Sequence, residues 1–334
     1  MAPLLFRALR LLADGRFHSG AQIARRLERS RATVSATLKG AGEMGLEVFS
    51  VPGKGYRLAA PIEFLDAHAI VAALGPAAAR VRLTLLDEVD STSTRLASLA
   101  QAGAPSATCV AAEWQRSGRG RRGRHWQSGV GSSITFSILW RFEQGAGHLG
   151  GLSLAVAVAV AQALEASGVA GVGFKWPNDL VHDWKKLGGI LVESTGDMLG
   201  PTCAVVGVGL NYRLGKPVEA RIGQPATDVA ALREPPPSRN VLLGRILGEL
   251  AGTLEVFGRD GFAPFRENWR KRHAYAGQRV NLLAAGEPSR EVEVVDVADD
   301  GALLVAAAGR AERLTSAEIS LRPASRAPAP RTVS

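Results

Sequence analysis

Residues 113–126 read Glu-Trp-Gln-Arg-Ser-Gly-Arg-Gly-Arg-Arg-Gly-Arg-His-Trp, with five arginines inside the nine positions 116–124. Cations this dense repel one another, so the segment is expected to order around an anion that neutralises it. Its glycines let the backbone approach a ligand closely and turn N–H groups toward it. Gly118, Gly120 and Gly123 satisfy GxGxxG. The context is wrong for a dinucleotide fold: an apolar strand pattern follows, not a helix, and no acidic residue ends a second strand about 20 residues later. A kinase glycine loop also fails, because neither HRD nor DFG follows. The alternative to an anion cradle is a solvated basic loop or a nucleic-acid patch.

A second segment, 175–193, reads Lys-Trp-Pro-Asn-Asp-Leu-Val-His-Asp-Trp-Lys-Lys-Leu-Gly-Gly-Ile-Leu-Val-Glu. Apolar strands flank a polar turn at Pro177-Asn178-Asp179, and Lys186 starts the next strand. The Gly188-Gly189 pair lets the chain pass close to something bulky. A lysine beside such a pair suits a phosphate contact, against the plainer reading of a hairpin with a surface lysine. His182 reads as polar surface, since no second histidine stands at metal spacing. Cys109 and Cys203 are likewise far apart and in no metal-like spacing, which disfavours a zinc site or a disulfide framework and fits a reducing cytoplasm.

A third group lies near the N-terminus. On a helix capped by Ser30, Val34 and Leu38 mark a buried stripe, and Ser30, Arg31, Thr33, Ser35, Thr37 and Lys39 occupy the remaining surface. Short hydroxyls and cations of this kind reach phosphates and base edges when a helix lies in a major groove. Lys54 on a wing, with Arg25, Arg26 and Arg29, is suited to hold the backbone. The alternative is a solvated basic three-helix bundle.

These residues need elements to position them. The chain has 334 residues, 46% hydrophobic and 21% charged, a globular composition long enough for two domains or more. Its longest apolar stretches, such as Leu152–Leu164, fall short of a membrane span, and Arg7, Arg10 and Asp14 interrupt any secretion signal. The net charge of +9 is uneven. Residues 1–60 hold ten Lys/Arg against four Asp/Glu, and residues 322–334 hold three Arg and no acid, so the stretch between them is neutral overall. The excess points to a polyanionic partner for the N-terminal segment alone.

Leu5, Leu9 and Leu12 share one face of a first helix. Ser19 can cap a second over Ala21–Leu27, and Ser30 a third over Ala32–Glu43, with Gly45 as a left-handed stop. Short strands at Leu46–Phe49 and Tyr56–Leu58 flank the turn Val51-Pro52-Gly53-Lys54-Gly55. This is the layout of a winged helix-turn-helix, expected over residues 1–62. Pro61 begins an apolar connector to about Arg80. Strands are then expected at Val81–Leu86, Thr108–Glu113, Ser133–Trp140, Gly171–Trp176, Gly188–Glu193 and Ala204–Leu210. A buried helix over Leu152–Ser167 and an amphipathic one over Asn240–Arg259 accompany them. The fold class is α/β (α+β), with a mixed sheet and flanking helices over residues 63–275. Strands at Arg279–Leu283, Arg290–Val297 and Ala302–Ala306 make a small β-barrel over 276–322. A Pro/Ala/Arg-rich disordered tail is expected over 323–334.

Taken together, the chain resembles biotin protein ligases of the bifunctional biotin-operon repressor type over about 320 residues. The match is carried by Asp90-Ser91-Thr92, the Gly118–Gly123 loop with Trp126, Lys175–Leu180, Lys186–Leu191, Gly207-Val208-Gly209-Leu210-Asn211 and the wing Val51–Tyr56. The combination of the Arg/Gly loop with the KWPNDL and KLGGIL segments is highly specific. The resemblance implies an SH3-like C-terminal barrel and a two-step reaction. Biotin and ATP give biotinyl-5′-AMP and pyrophosphate, with Mg2+ carried by the ATP phosphates rather than by protein ligands. A lysine of a biotin carboxyl carrier protein then attacks the anhydride and releases AMP. It assigns Lys186 to the carboxylate and α-phosphate, and Arg119 and Arg121 to the loop that closes over the adenylate. Asp179 would orient or deprotonate the acceptor amine. Ser91, Thr92, Ser93, Gln115, Gly120, Gly189 and Gly207 fall to the biotin pocket. Gly118, Arg122, Trp126, Asn211 and Arg322 fall to the nucleotide.

Two departures stand out. The family's Ser-Thr-Asn reads Ser91-Thr92-Ser93, and the adenylate-covering loop near Leu214–Val229 lacks an aromatic residue. The resemblance further implies a homodimer formed on adenylate binding, operator DNA as a partner and no membrane association. The alternatives are an adenylate-sensing repressor without ligase activity, which an intact Lys186 and Arg119 argue against, and a lipoate-type ligase.

Overall fold

The computed structural model describes residues 3–197, 199–284, 289–307, 309–315 and 319–323. The tail from 324, the stretch 316–318 and the side chain of Arg322 lie outside the described residues.

Three short helices, α1 (Leu4–Leu11), α2 (Gly20–Leu27) and α3 (Arg31–Lys39), precede a hairpin of β1 (Val48–Val51) and β2 (Gly55–Leu58). Ser19 and Gln22 make a reciprocal capping box on α2, satisfying two orphan backbone donors. The Ser30 hydroxyl accepts from the Thr33 N–H at 3.0 Å and starts α3. Phe6, Ala8, Leu9, Leu12, Ile23, Leu27, Val34 and Leu38 form the core of this unit. Phe6 and Ala8 are fully buried beside Leu9 and Leu12, whereas Leu5 is only partly buried.

The connector expected between Pro61 and Arg80 contains a helix, α4 (Ala67–Ala73), whose N-cap is Asp66. It packs along α9 (Arg239–Asp260). A seven-stranded mixed sheet follows, built from β3 (Arg82–Val89), β4 (Thr108–Gln115), β5 (Ser133–Phe142), β6 (Gly173–Lys175), β7 (Asp179–His182), β8 (Lys185–Gly196) and β9 (Thr202–Asn211). The order across it is β3-β4-β5-β9-β8-β7-β6, with β3–β4 parallel and the other pairs antiparallel. Helix α5 (Thr92–Gln101) covers one face; α6 (Leu152–Ala166) and α9 pack together on the other. The short helices α7 (Lys216–Glu219) and α8 (Val229–Leu232) follow β9, and α10 (Arg266–Lys271) follows α9. The core ends in a five-stranded antiparallel sheet of β10 (Arg279–Ala284), β11 (Arg290–Val297), β12 (Leu303–Ala307), β13 (Arg310–Leu314) and β14 (Ile319–Pro323), ordered β13-β12-β11-β10-β14. This gives the mixed central sheet with helices and the small barrel-like C-terminal unit.

At the start of α9 the amphipathic pattern breaks. Arg239 is fully buried and donates to Glu113 Oε2 and to the Ser133 carbonyl, both at 3.0 Å. Its backbone N–H donates to Glu63 Oε2 at 2.7 Å, and Asn240 donates to Glu63 Oε1 at 2.9 Å. The linker leaving the hairpin is thereby fastened to the core sheet. A buried charge is tolerated here because both terminal nitrogens are paired, Nη1 with the Glu63 carbonyl and Nη2 with Glu113 and the Ser133 carbonyl, which leaves Nε alone without a partner.

The N-terminal unit also leans on the core at a second place. The Val130 N–H donates to the Met44 carbonyl at 3.1 Å, and Val130 is buried among the N-terminal apolar residues. Arg221 donates to the Glu43 carbonyl at 3.3 Å. A Cβ placed on Gly45, whose φ is +77°, would stand 2.5 Å from Val218 Cγ2. Position 45 therefore needs glycine twice over, for its left-handed backbone and for this approach.

Candidate active site

A cavity of about 640 Å³ opens on the sheet face that carries the Arg/Gly loop. Its neutral end is built on the N-terminus of α5. Thr92 donates to Gln115 Oε1 from its backbone N–H at 2.8 Å and from its hydroxyl at 3.1 Å. Its hydroxyl also lies 2.8 Å from Ser137 Oγ, which is 3.0 Å from Ser93 Oγ. All four side chains are buried. Gly207 on β9 lies beneath them, where a Cβ would sit 2.8 Å from Ser93 Oγ. The Gln115 amide group keeps its Nε2 donors for a ligand. The array offers neutral donors and acceptors in fixed positions, suited to a small heteroatom ring without charge.

The other end is charged. The Arg/Gly loop is held by its own backbone: Gly120 N–H donates to Arg124 O and Trp126 N–H to Gly118 O, both at 2.8 Å. Arg121 donates to Asn178 Oδ1 at 3.1 Å. Burial pushes the Arg121 guanidinium below its usual range, with nearby Arg122 adding to the effect and Asp179 partly offsetting it. Lys186 Nζ lies 2.7 Å from Asp179 Oδ1 and 5.8 Å from the centroid of the Trp126 ring. The Arg119 guanidinium turns to the rim, where it meets Glu193 Oε1 at 2.5 Å. Among the described residues, Asp179 is the only carboxylate in the cavity wall.

The Trp126 indole lies flat over Gly209, where a Cβ would come within 2.4 Å of the ring. Its Nε1 is buried without a hydrogen-bond partner, as is Asn211 Oδ1. Asn211 Nδ2 donates to the carbonyls of Lys186 (3.2 Å) and Thr227 (3.0 Å), tying β9 to the segment that runs beside β8. An aromatic face next to an amide with a spare acceptor suits a purine carrying an exocyclic amine.

The structure thus brings Thr92, Ser93, Gln115, Arg119, Gly120, Arg121, Arg122, Trp126, Asp179, Lys186, Gly189, Gly207 and Asn211 to one cavity. Two residues expected there stand behind its wall. The Ser91 hydroxyl accepts from the Thr94 N–H at 3.4 Å as the cap of α5. Gly118 packs against Trp126, a Cβ at its position falling 2.7 Å from the Trp126 carbonyl oxygen. Arg322 lies on β14 opposite Asn281. Sequence reading gave no role to Ser137, Asn178 or Glu193, whereas the lining residues Arg221–Gln224 fall within the loop expected near Leu214–Val229. Asn178 entered only within the turn and the Lys175–Leu180 match, and Ser137 and Glu193 carry no local motif. No group of three or more His, Cys, Asp or Glu close enough to hold a metal occurs among the described residues, and no described helix is long and apolar enough to cross a membrane.

On α3, Arg31 and Lys39 are exposed, Thr33, Ser35 and Thr37 are half-buried, and Val34 and Leu38 face the core. Ser30 spends its hydroxyl on the cap and on Thr33 Oγ1 at 2.9 Å. Lys54 is exposed at the wing turn.

Three family models match this chain: the biotin/lipoate A/B protein ligase family over residues 85–211, a helix-turn-helix domain over 5–57, and the biotin protein ligase C-terminal domain over 275–322. The chain is 36% identical over 320 residues to the bifunctional ligase/repressor BirA of Salmonella typhimurium, covering 94% of this chain and 96% of that protein. It is 35% identical over 322 residues to the protein of the same name from Escherichia coli, covering 95% and 97%. A biotin protein ligase from Aquifex aeolicus, solved in complex with biotin and ATP, superposes with a TM-score of 0.61 at 27% identity, covering 73% of this chain and 99% of that one.

Proposed function

The chain belongs to the biotin protein ligase family, of the bifunctional ligase/repressor type, and from that premise we propose the following chemistry. A biotin carboxylate oxygen attacks the α-phosphorus of ATP, the bond to the β-phosphate oxygen breaks, and pyrophosphate leaves. The amine of a lysine on a biotin carboxyl carrier protein then attacks the acyl carbon of biotinyl-5′-AMP. AMP leaves and an amide remains.

The observation that carries this reading is one cavity with a neutral hydrogen-bonding end and a cationic end, of a size that holds a two-part ligand. Thr92, Ser93 and Gln115 take the ureido ring. Gly207 and Gly189 let the chain pass close to the ligand. Trp126 and Asn211 take adenine, the spare Oδ1 of Asn211 accepting from its amine. The first step brings two anions together, and Lys186 and Arg121 offset that repulsion at the carboxylate and α-phosphate. Arg119 and Arg122 complete the loop that shields the anhydride from water. Asp179 orients the acceptor amine and takes its proton. Mg2+ reaches this site on the ATP phosphates, where it supplies charge neutralisation, and one wall carboxylate fits a hard cation held mainly by phosphate oxygens. The family resemblance assigns Arg322 of the C-terminal barrel to the same phosphates.

The repressor half is proposed to use Arg31, Thr33, Ser35, Thr37, Lys39 and Lys54 on operator DNA, with Ser30 holding the start of α3. The adenylate acts as the signal that pairs two copies on a two-fold site. The divisions at residues 62/63 and 275/276 and a cytoplasmic location, the latter supported by two free cysteines, belong to the same proposal.

ATP–pyrophosphate exchange tests the enzyme. Exchange should require biotin and be lost in Lys186→Ala. Exchange supported by lipoate and not by biotin would move the chain to the lipoate-type reading. No exchange from a folded chain would leave an adenylate-sensing repressor. Sedimentation with and without biotin and ATP tests the dimer, and an unchanged dimer affinity would overturn that part.

A further inference from the structure

The N-terminal hairpin has a third, short partner. His18 and Tyr56 exchange backbone hydrogen bonds, each of 2.9 Å, so the chain at residues 17–18 runs beside β2. Across the other edge, Phe49 pairs directly with Arg57. Val48, Tyr56 and Leu58 all pack on the core of the unit. Alternation therefore sends Phe49 and Arg57 to the opposite, outer face. There the Arg57 guanidinium carbon lies 5.2 Å from the centroid of the Phe17 ring and 4.9 Å from that of Phe49. Lys54 Nζ, at the wing turn, shares the Phe17 ring at 5.9 Å. Phe17 is one of few large apolar side chains left exposed, at 38%.

Three features of this row point the same way. No carboxylate pairs with Arg57 among the described residues, whereas Arg10 meets Asp87 and Arg116 meets Asp90. The Nε of Arg57 is buried and unpartnered. The guanidinium lies over two phenyl rings that limit its freedom, so a contact made by its outer nitrogens sacrifices little side-chain entropy. The patch is also continuous with Lys54, and it sits in a unit whose first 60 residues carry six net positive charges.

We propose that Arg57, stacked between Phe17 and Phe49, contacts a phosphate of duplex DNA, so that the outer face of the wing sheet belongs to the DNA-binding surface together with Lys54. The inference rests on the repressor reading and extends it beyond α3 and the wing turn. A guanidinium held in plane matches two phosphate oxygens at once and carries no base specificity.

The test is a salt series of binding to a random-sequence duplex by the full-length chain with biotin, ATP and Mg2+. The sequence-independent part of affinity reads phosphate contacts directly. Arg57→Ser is expected to flatten the slope of log K against log salt by about 0.9 for each protomer bound. Arg57→Lys keeps the slope and weakens binding, because an ammonium keeps the charge but neither the fork nor the stack. Phe17→Leu does the same to a smaller extent, by leaving the charge over Phe49 alone. Biotinyl-AMP synthesis stays at the wild-type rate in all three, which reports an intact fold. If Arg57→Ser keeps the wild-type slope while Lys54→Ala lowers it, the proposal fails and the repressor reading stands. If the wild type does not bind duplex at all, both fall. A change in dimer affinity with an unchanged slope would give the face to a second copy of the chain and also overturn the proposal.

Discussion

The two ends of the cavity solve opposite problems. At the neutral end, Thr92, Ser93, Gln115 and Ser137 are buried and already bonded to one another. Such a network is stiff and presents its remaining donors in set directions. At the charged end, Lys186 rests on Asp179 and Arg119 on Glu193. These two cations each have a carboxylate that an incoming phosphate would have to displace, whereas Arg121 donates to the Asn178 amide. The neutral end selects by fixed complementarity. The charged end selects by exchange of partners, and its carboxylates keep the cations from repelling one another before the nucleotide arrives.

This contrast can be broken, beginning with the largest effect. Lys186→Ala removes the cation proposed for the carboxylate and α-phosphate, and biotin-dependent pyrophosphate exchange should fall about 100- to 1000-fold, the usual loss for one positioned donor. A smaller loss would put the burden on Arg121. Thr92→Val removes the hydroxyl that joins Gln115 to Ser137, and biotin Kd by calorimetry should rise about tenfold or more, from roughly 1–3 kcal/mol for a buried group left unpaired. That loss should be the same at low and high salt, whereas nucleotide binding should weaken with salt, since only the charged end is open to screening. Gly209→Ala pushes a methyl into the Trp126 ring, and KM for ATP should rise about fivefold to tenfold through overpacking of about 1 kcal/mol or more, with KM for biotin nearly unchanged. Glu193→Gln frees Arg119 from a half-exposed pair, and KM for ATP should fall by less than about fivefold at low salt, in keeping with the small net value of exposed ion pairs. A rise instead would mean that Glu193 holds the loop in its working position.

The two ends also differed in how plainly they could be read. The Arg/Gly loop and the Lys186 segment are local: charge, glycine and lysine stand close in the chain, and their chemistry follows from that spacing. Thr92 and Gln115 were placed through family resemblance. Ser137 was not placed at all, because it reaches Thr92 and Ser93 only through the β5–β9 register that sets Ser137 opposite Gly207. Glu193 has the same character: nothing near it in sequence announces Arg119, 74 residues away. The main strands were legible from alternation and β-branched residues, usually to within a few residues of their ends. Helix α4 was missed although Asp66 caps it, since Ala-His-Ala-Ile-Val-Ala-Ala has only a weak polar face. Helix α5 was missed because its first turn is Thr-Ser-Thr, residues that favour caps and turns. Arg239, one residue ahead of the helix expected over Asn240–Arg259, is buried because three partners wait for it inside, and none of them is near it in the chain.

The join between the DNA-binding unit and the ligase core bears on what a shortened chain would be. Val130 is covered by the N-terminal apolar residues, the Met44 carbonyl takes its N–H, and Gly45 lies against Val218. Arg221, which lines the cavity, donates to Glu43. A ligase cut free of its first 60 residues is therefore not this ligase minus an affinity for DNA. It has lost a buttress from the cavity wall that holds Arg221, and a kinetic difference between the two lengths is expected from that missing support.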